Sequence, residues 1–263
     1  MSEVPRRPLR VPSADGTILA VHPAGHGPGL VLVGGALCDH SGMQSIVPLL
    51  TPRFTVYAYD RRGRGASGDG PEYAVARELE DLAAVVDYAG PEAAVYGHSS
   101  GAMLALEAAA DGLAMAWLVV YEPPYIVDGG RPRPSPDLPD RLEAMIAADQ
   151  KDRAVRTFLR EGSAVPEAQI DQLSRTPRWP GLLNLARSVS YDARVAGQCV
   201  LPAERFAAIR TPTVVLCGRA SPAWLRAGAE ALAAALPDAR LRTLGGQRQR
   251  PDPAMLARAI LAA

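Results

Sequence analysis

Ser99 sits in Gly97-His98-Ser99-Ser100-Gly101, a serine with a glycine two residues away on either side. That spacing suits chemistry at a hydroxyl, by nucleophilic attack or by hydrogen bonding. A serine on a sharp strand-to-helix turn presents its Oγ at the strand tip, at the positive end of the following helix. Such a turn needs flanking glycines because its backbone is strained and neighbouring chain comes close. The pattern by itself is a weak signal in a chain with 24 glycines, and a Gly-Ser helix cap is the plainer reading. A second constellation, Gly34-Gly35-Ala36-Leu37, follows an apolar run. A glycine pair there lets backbone N–H groups turn inward. The amides of Ala36, Leu37 and Ser100 could then hold a developing oxyanion, the alternative being an ordinary strand-to-helix loop.

The elements needed to position these groups are legible. Gly29–Val33 reads as a buried strand that stops at Gly34-Gly35, and Ser41 to Leu50 as a short helix. Phe54 to Tyr59 is the next strand, closed by Asp60-Arg-Arg-Gly-Arg-Gly65. Apolar residues at Leu79, Leu82, Val85 and Val86 predict a helix over 75–88. Ala93–Tyr96 and Ala116–Tyr121 are strands, with a small-residue helix over 103–110 between them. The serine motif therefore follows a strand and opens a helix, the context its chemistry requires. Residues 126–210 break the alternation, with a proline-rich entry (Pro132, Pro134, Pro136, Pro139) and short helices near 138–149, 151–161, 166–174 and 181–190. Alternation returns with a strand at Thr213–Cys217, a helix at 222–236, a strand at 240–244 and a helix at 253–261. Strand–helix alternation implies parallel strands with helices on both faces, and the middle block reads as an inserted helical cap.

Composition narrows the function further. Of 263 residues, 48% are apolar and 21% charged, as in ordinary globular proteins. Lys+Arg and Asp+Glu are both 28, so nucleic acid and membrane surfaces are not expected partners. Lys151 is the sole lysine, so positive charge is almost all arginine. The four histidines are His22, His26, His40 and His98, so a mechanism needing a histidine late in the chain is excluded. Cys38, Cys199 and Cys217 have no metal-ligand spacing and fit reduced thiols in a cytoplasmic protein, without a zinc site. Met1 to Arg10 lacks the apolar core of a signal peptide, and Leu113 to Tyr121 is too short to span a bilayer. A small-molecule substrate is expected, with no cofactor; a homodimer stays open.

Taken together, the motifs resemble the α/β-hydrolase fold superfamily. The resemblance runs over nearly the whole chain: Gly34-Gly35, the turn Tyr59–Gly65, the elbow Gly97–Gly101, then cap, strand and final helix. It is most similar to a group of small actinobacterial members through Tyr121-Glu122-Pro123-Pro124 and Ser221-Pro222-Ala223-Trp224. It implies a mostly parallel eight-stranded sheet, a core of residues 1–125 and 211–263, and a cap or lid of residues 126–210 between strands 6 and 7. It also implies a Ser…acid…His triad in that order. Two positions depart from this pattern. The loop Gly245–Pro253 carries Gln249 where relatives carry the histidine, and glutamine cannot accept a proton near pH 7. Gly218-Arg219-Ala220-Ser221 holds no carboxylate where the acid usually lies, leaving Glu122 as the replacement, with a purely structural role equally open.

His40 is the candidate substitute base, because it follows the oxyanion loop. His98 is expected to point away from the site. Cys38 reads as a buried, inert thiol. Gly35, Tyr125, Trp179, Leu183 and Trp224, with Leu182, are candidate substrate contacts, and those in the cap read equally well as helix core. Three functions follow: a serine esterase or lactonase with a rewired base, a ligand binder without catalysis, or an enzyme that polarises a carbonyl without hydrolysis. The last is favoured, because a strained elbow is of no use to a binder and the base is absent. Cyclisation, isomerisation, elimination or ring opening of an apolar substrate, as in bacterial specialised metabolism, would need positioning and electrostatics above all.

Overall fold

The computed structural model describes residues 7–127 and 129–263. Residues 1–6, most of the segment judged above for a signal peptide, lie outside it. In chain order the elements begin β1 (Leu9–Pro12), β2 (Ile18–Gly25), β3 (Gly29–Val33), α1 (Val47–Leu50), β4 (Thr55–Tyr59) and α2 (Val75–Ala89). Next come β5 (Ala94–His98), α3 (Ser100–Ala110) and β6 (Leu118–Tyr121). Among the described residues six α-helices then follow without a strand, with a π-helical turn (Phe158–Gly162) after the second: α4 (Leu138–Ala147), α5 (Lys151–Thr157), α6 (Glu167–Ser174), α7 (Trp179–Asn184), α8 (Ser188–Ala196) and α9 (Ala203–Phe206). The chain ends with β7 (Thr213–Gly218), α10 (Ala223–Ala235), β8 (Ala239–Leu244) and α11 (Pro253–Leu261). No helix among the described residues is long and apolar enough to cross a membrane.

The fold is α/β, as the strand–helix alternation implies. Eight strands form one sheet in the order β1-β2-β4-β3-β5-β6-β7-β8. Strands β4, β3, β5, β6, β7 and β8 run parallel, and β1 and β2 pair antiparallel at one edge. All five residues of β3 and all four of β6 are buried, as expected where helices cover both faces. Side-chain alternation divides the sheet between two cores: Val95 of β5 packs with α2, α3 and α10 residues, Ala94 and Tyr96 with residues of α1 and α11. The inserted helices have a third core, built from Leu142, Val155, Phe158, Ile170 and Val189 and touching Ala36 and Leu37 of the oxyanion loop.

Two elements differ from the sequence reading. The helix expected over 41–50 is a 3₁₀ turn (His40–Met43) followed by α1, and Pro48 sits in the first turn of α1. Proline favours that position, since its missing N–H has no intrahelical acceptor there. The single helix expected over 181–190 is two, α7 and α8, with Pro180 likewise in the first turn of α7. The break lets α8 turn Tyr191 and Asp192 toward the turn after β4.

That turn carries a buried ion network. Arg61 donates to Glu78 of α2 through Nε and Nη2 (2.6 and 2.7 Å) and to Asp192 of α8 through Nη1 (2.9 Å). Arg64 reaches the same Asp192 oxygen at 3.1 Å. Burial alone would push the Glu78 carboxyl up, but Arg61 and Arg64 more than offset it and hold it below its ordinary value. Removing one partner would leave a charge buried without compensation. Glu78→Gln should therefore lower the free energy of unfolding in urea by about 3–5 kcal/mol. An unchanged denaturation midpoint would show the network to be dispensable.

Candidate active site

β5 ends and α3 begins around Ser99, whose backbone adopts φ 54° and ψ −120°. This conformation is strained for a residue with a Cβ and persists only when the surroundings fix it. Here the Ser99 amide donates to Tyr121 O on β6 at 2.9 Å, and the Ser99 carbonyl accepts from Ala102 and Met103 in the first turn of α3. The glycines answer to close approach. A Cβ on Gly97 would lie 2.6 Å from Ala102 Cα, and one on Gly101 would meet the carbonyls of Val33 and Gly34. Ser100 follows with its hydroxyl donating to Asp192 Oδ1 at 2.8 Å, which ties the elbow to the buried network.

The oxyanion loop packs against this turn. Leu37 has φ 53°, and the Gly34 and Gly35 carbonyls accept from Arg61 and Arg64 at 3.2 and 3.1 Å. With those carbonyls directed at the arginines, the amides of Ala36, Leu37 and Ser100 donate to no acceptor among the described residues. Ala36 lines both hollows that meet at Ser99. The larger hollow, about 480 Å³, is lined by Gly35, Leu37, Cys38, Phe158 and Leu182 among others, and by Gln249. The smaller, about 30 Å³, is bounded by Ser99, Ser100, Asp192, Trp224 and Gln249. Gln249 thus borders both spaces that Ser99 opens into.

Its loop is fixed by the strands beside it. Tyr121 Oη donates to Arg248 O at 2.6 Å, Ala220 N to Gln247 O at 2.9 Å, and Asp252 N to Gln247 Oε1 at 2.6 Å. Glu122 ends β6 with φ 47° and is wholly buried. Its Oε1 accepts from Gly218 N (2.8 Å) and Ser221 Oγ (2.5 Å), while Oε2 has no partner among the described residues. Burial pushes this carboxyl up, against those two bonds. Glu122 is not among the residues lining either hollow.

The histidines divide differently from expectation. His40 is absent from both hollows. Its Nδ1 lies 2.8 Å from Asp60 Oδ1, its backbone N–H donates to the same oxygen at 2.7 Å, and its ring stacks on His22 at 3.5 Å. His22, His40 and Asp60 bring three metal-ligating atoms within 4.8 Å of one another, a grouping invisible in their sequence spacing. Asp60 Oδ2 also accepts from Ala66 N at 2.9 Å, so its lone pairs serve the β4 turn and the loop after β3. His98, expected to point away, lines the larger hollow instead. The two-residue period of β5 puts it on the face of Tyr96, which lines the same hollow. A hydrogen bond of 3.2 Å joins His98 Nδ1 to Tyr96 Oη, and the ring stacks on Tyr121. Burial, reinforced by Arg250, lowers its pKa to about 4. Cys38 also borders the hollow, with burial pushing its thiol up to about 11.

Of the candidate substrate contacts, Gly35, Leu182 and Trp224 line the hollows. Trp179 donates to Asp152 Oδ1 at 2.9 Å inside the core of the inserted helices, where Leu183 also packs. Tyr125 is buried against Phe206. Asp192, Arg178 and Arg250 line the hollows and carry no motif; only the length of the chain between them and Ser99 could be read from sequence.

An elbow serine beside free loop amides, on a mostly parallel eight-stranded sheet, places the fold, and residues 18–252 match the profile of the alpha/beta hydrolase family. The chain belongs to that family. It is similar to an alpha/beta hydrolase of known structure from Sphaerobacter thermophilus, 47% identical, covering 97% of this chain and 99% of that one with a TM-score of 0.92. It is 30% identical to "Lipase LipV" of Mycobacterium tuberculosis over 208 residues, 76% of this chain and 77% of the lipase. A hydrolase from Pseudomonas aeruginosa shares the fold at 23% identity and a TM-score of 0.77, over 97% of each chain.

Two measurements check this geometry. Gly101→Ala should unfold the elbow or cost about 2–4 kcal/mol of stability in urea denaturation, since its Cβ meets backbone rather than a movable side chain; full stability would mean the turn is looser than drawn. His98 should stay neutral in histidine NMR titrations down to about pH 5. Because its folded pKa lies below the unfolded value near 6.5, its neutral form is favoured by folding, and stability is lost as pH falls from about 6.5 toward 4. An ordinary midpoint near 6.5 would contradict its burial.

Proposed function

We propose that this hydrolase-family chain is an enzyme acting on a small, largely apolar carbonyl or acyl compound without hydrolysing it. The observation that carries this reading is Gln249 in the wall shared by both hollows at Ser99. Glutamine takes no proton near neutrality. His98, the histidine in the same wall, has a pKa drawn down to about 4, and His40 is engaged by Asp60. Ser99 Oγ and the amides of Ala36, Leu37 and Ser100 then act as donors that polarise a carbonyl. The apolar wall orients the substrate, and cyclisation, isomerisation, elimination or ring opening follows from position and charge stabilisation. Such steps fit bacterial specialised metabolism and the group of small actinobacterial relatives that the sequence resembles.

A serine esterase is the second reading. It is favoured by the kinship to a lipase and by Glu122, which keeps one buried carboxylate oxygen free beneath an intact elbow. The two separate on one substitution. Gln249→His should supply the missing base between Ser99 and an acid, raising hydrolysis of 4-nitrophenyl butyrate by about a hundredfold or more. Adding Glu122→Gln should remove most of that gain, and Ser99→Ala all of it. The unaltered protein should resist a fluorophosphonate probe that labels the Gln249→His variant. Ready labelling and ester turnover by the unaltered protein, with no gain from Gln249→His, would replace the non-hydrolytic reading with the esterase.

A further inference from the structure

The walls of the larger hollow carry charge of one sign. Arg178, at the start of α7, and Arg250, one residue beyond Gln249, both line it, and no Asp or Glu does among the described residues. Neither arginine makes an ion pair with a described residue, whereas Arg61 and Arg64 both pair with Asp192. Both residues are solvent-exposed. Burial, then the neighbouring Arg178 charge, lowers the Arg250 pKa below the ordinary arginine value. Two like charges facing one space repel, and no acidic side chain among the described residues lines that space to offset them. The wall they share with Ser99 carries the apolar side chains of Met43, Ile46, Phe158, Leu159 and Leu182, alongside Ser45, Ser163 and Gln169. His98 adds no charge of its own at neutral pH. At about 480 Å³ the hollow fits a ligand of moderate size.

We infer that the substrate carries an anionic terminus, a carboxylate or phosphate, which Arg178 and Arg250 clamp while an apolar arm reaches from the rim to the carbonyl at Ser99. A guanidinium fork matches either anion in a bidentate manner, and two of them fix orientation as well as charge. The inference rests on the reading that Ser99 engages a carbonyl, and the test keeps the two apart.

Binding is measured by calorimetry on Ser99→Ala, where turnover at the serine cannot interfere. The ligands are monomethyl esters of straight-chain diacids from succinate to sebacate, their neutral dimethyl esters, and methyl 6-phosphonohexanoate. At least one monoanion should bind about tenfold or more tighter than its dimethyl ester, with the preference shrinking between low and high salt. Arg250→Gln and Arg178→Gln should each erase most of that preference while leaving the neutral esters unchanged, and circular dichroism should show both variants folded. The carboxylate and phosphonate arms identify which anion fits. Equal binding of charged and neutral esters, or a preference that survives both substitutions, overturns the clamp. If the preference holds but Ser99→Ala alters neither binding nor turnover in any ester, the clamp stands and the role given to Ser99 fails.

Discussion

Asp192 Oδ1 accepts from Arg61, Arg64 and the Ser100 hydroxyl, and the two arginines in turn hold the Gly34 and Gly35 carbonyls and Glu78. These atoms belong to the β4 turn, α2, α8, the elbow and the oxyanion loop. One buried network therefore joins the sheet to the inserted helices and fixes both halves of the site. The charges must be matched where they lie, because a buried ion without its partner costs several kcal/mol. That requirement sets the position of α8 over the sheet. It also directs the loop carbonyls toward the arginines, which leaves the Ala36 and Leu37 amides free on the side of Ser99.

The site built on this base is unequal in its parts. The donors are preorganised: a strained serine, a helix N-terminus and unpaired amides beside an apolar space. Proton acceptors are poor. Gln249 has no basicity, burial holds His98 neutral, and the free oxygen of Glu122 is not in the cavity wall. Charge in the same wall is positive, from Arg178 and Arg250. The cavity therefore joins a set of hydrogen-bond donors at Ser99 to weakly basic neighbours.

Much of this was legible in the chain. Strand periods and the glycine turns located β3 to β8 and the helices that follow them, because a fully buried strand and a tight turn constrain residue type locally. Gly101 had to be glycine for a reason that sequence could only suggest, the approach of the Val33 and Gly34 carbonyls from a strand distant in the chain. The elbow motif alone points His98 away from Ser99, whereas the pleat of β5 aligns it with Tyr96 on the wall of the larger hollow. Tyr125, Trp179 and Leu183 read as pocket or core alike, since an apolar residue on a short helix has the same pattern in either place.

The sequence by itself determined the elbow, the oxyanion loop, the family resemblance and the absence of any histidine after His98. Each is a matter of residue identity at short spacing. The tertiary structure decided which charged groups meet. Asp60 gathers His22 and His40, Asp192 gathers Arg61, Arg64 and Ser100, and Arg178 and Arg250 line one cavity with no acidic partner among the described residues. Those partners lie tens of residues apart, and charge pairing depends on distance and burial, which no local pattern encodes.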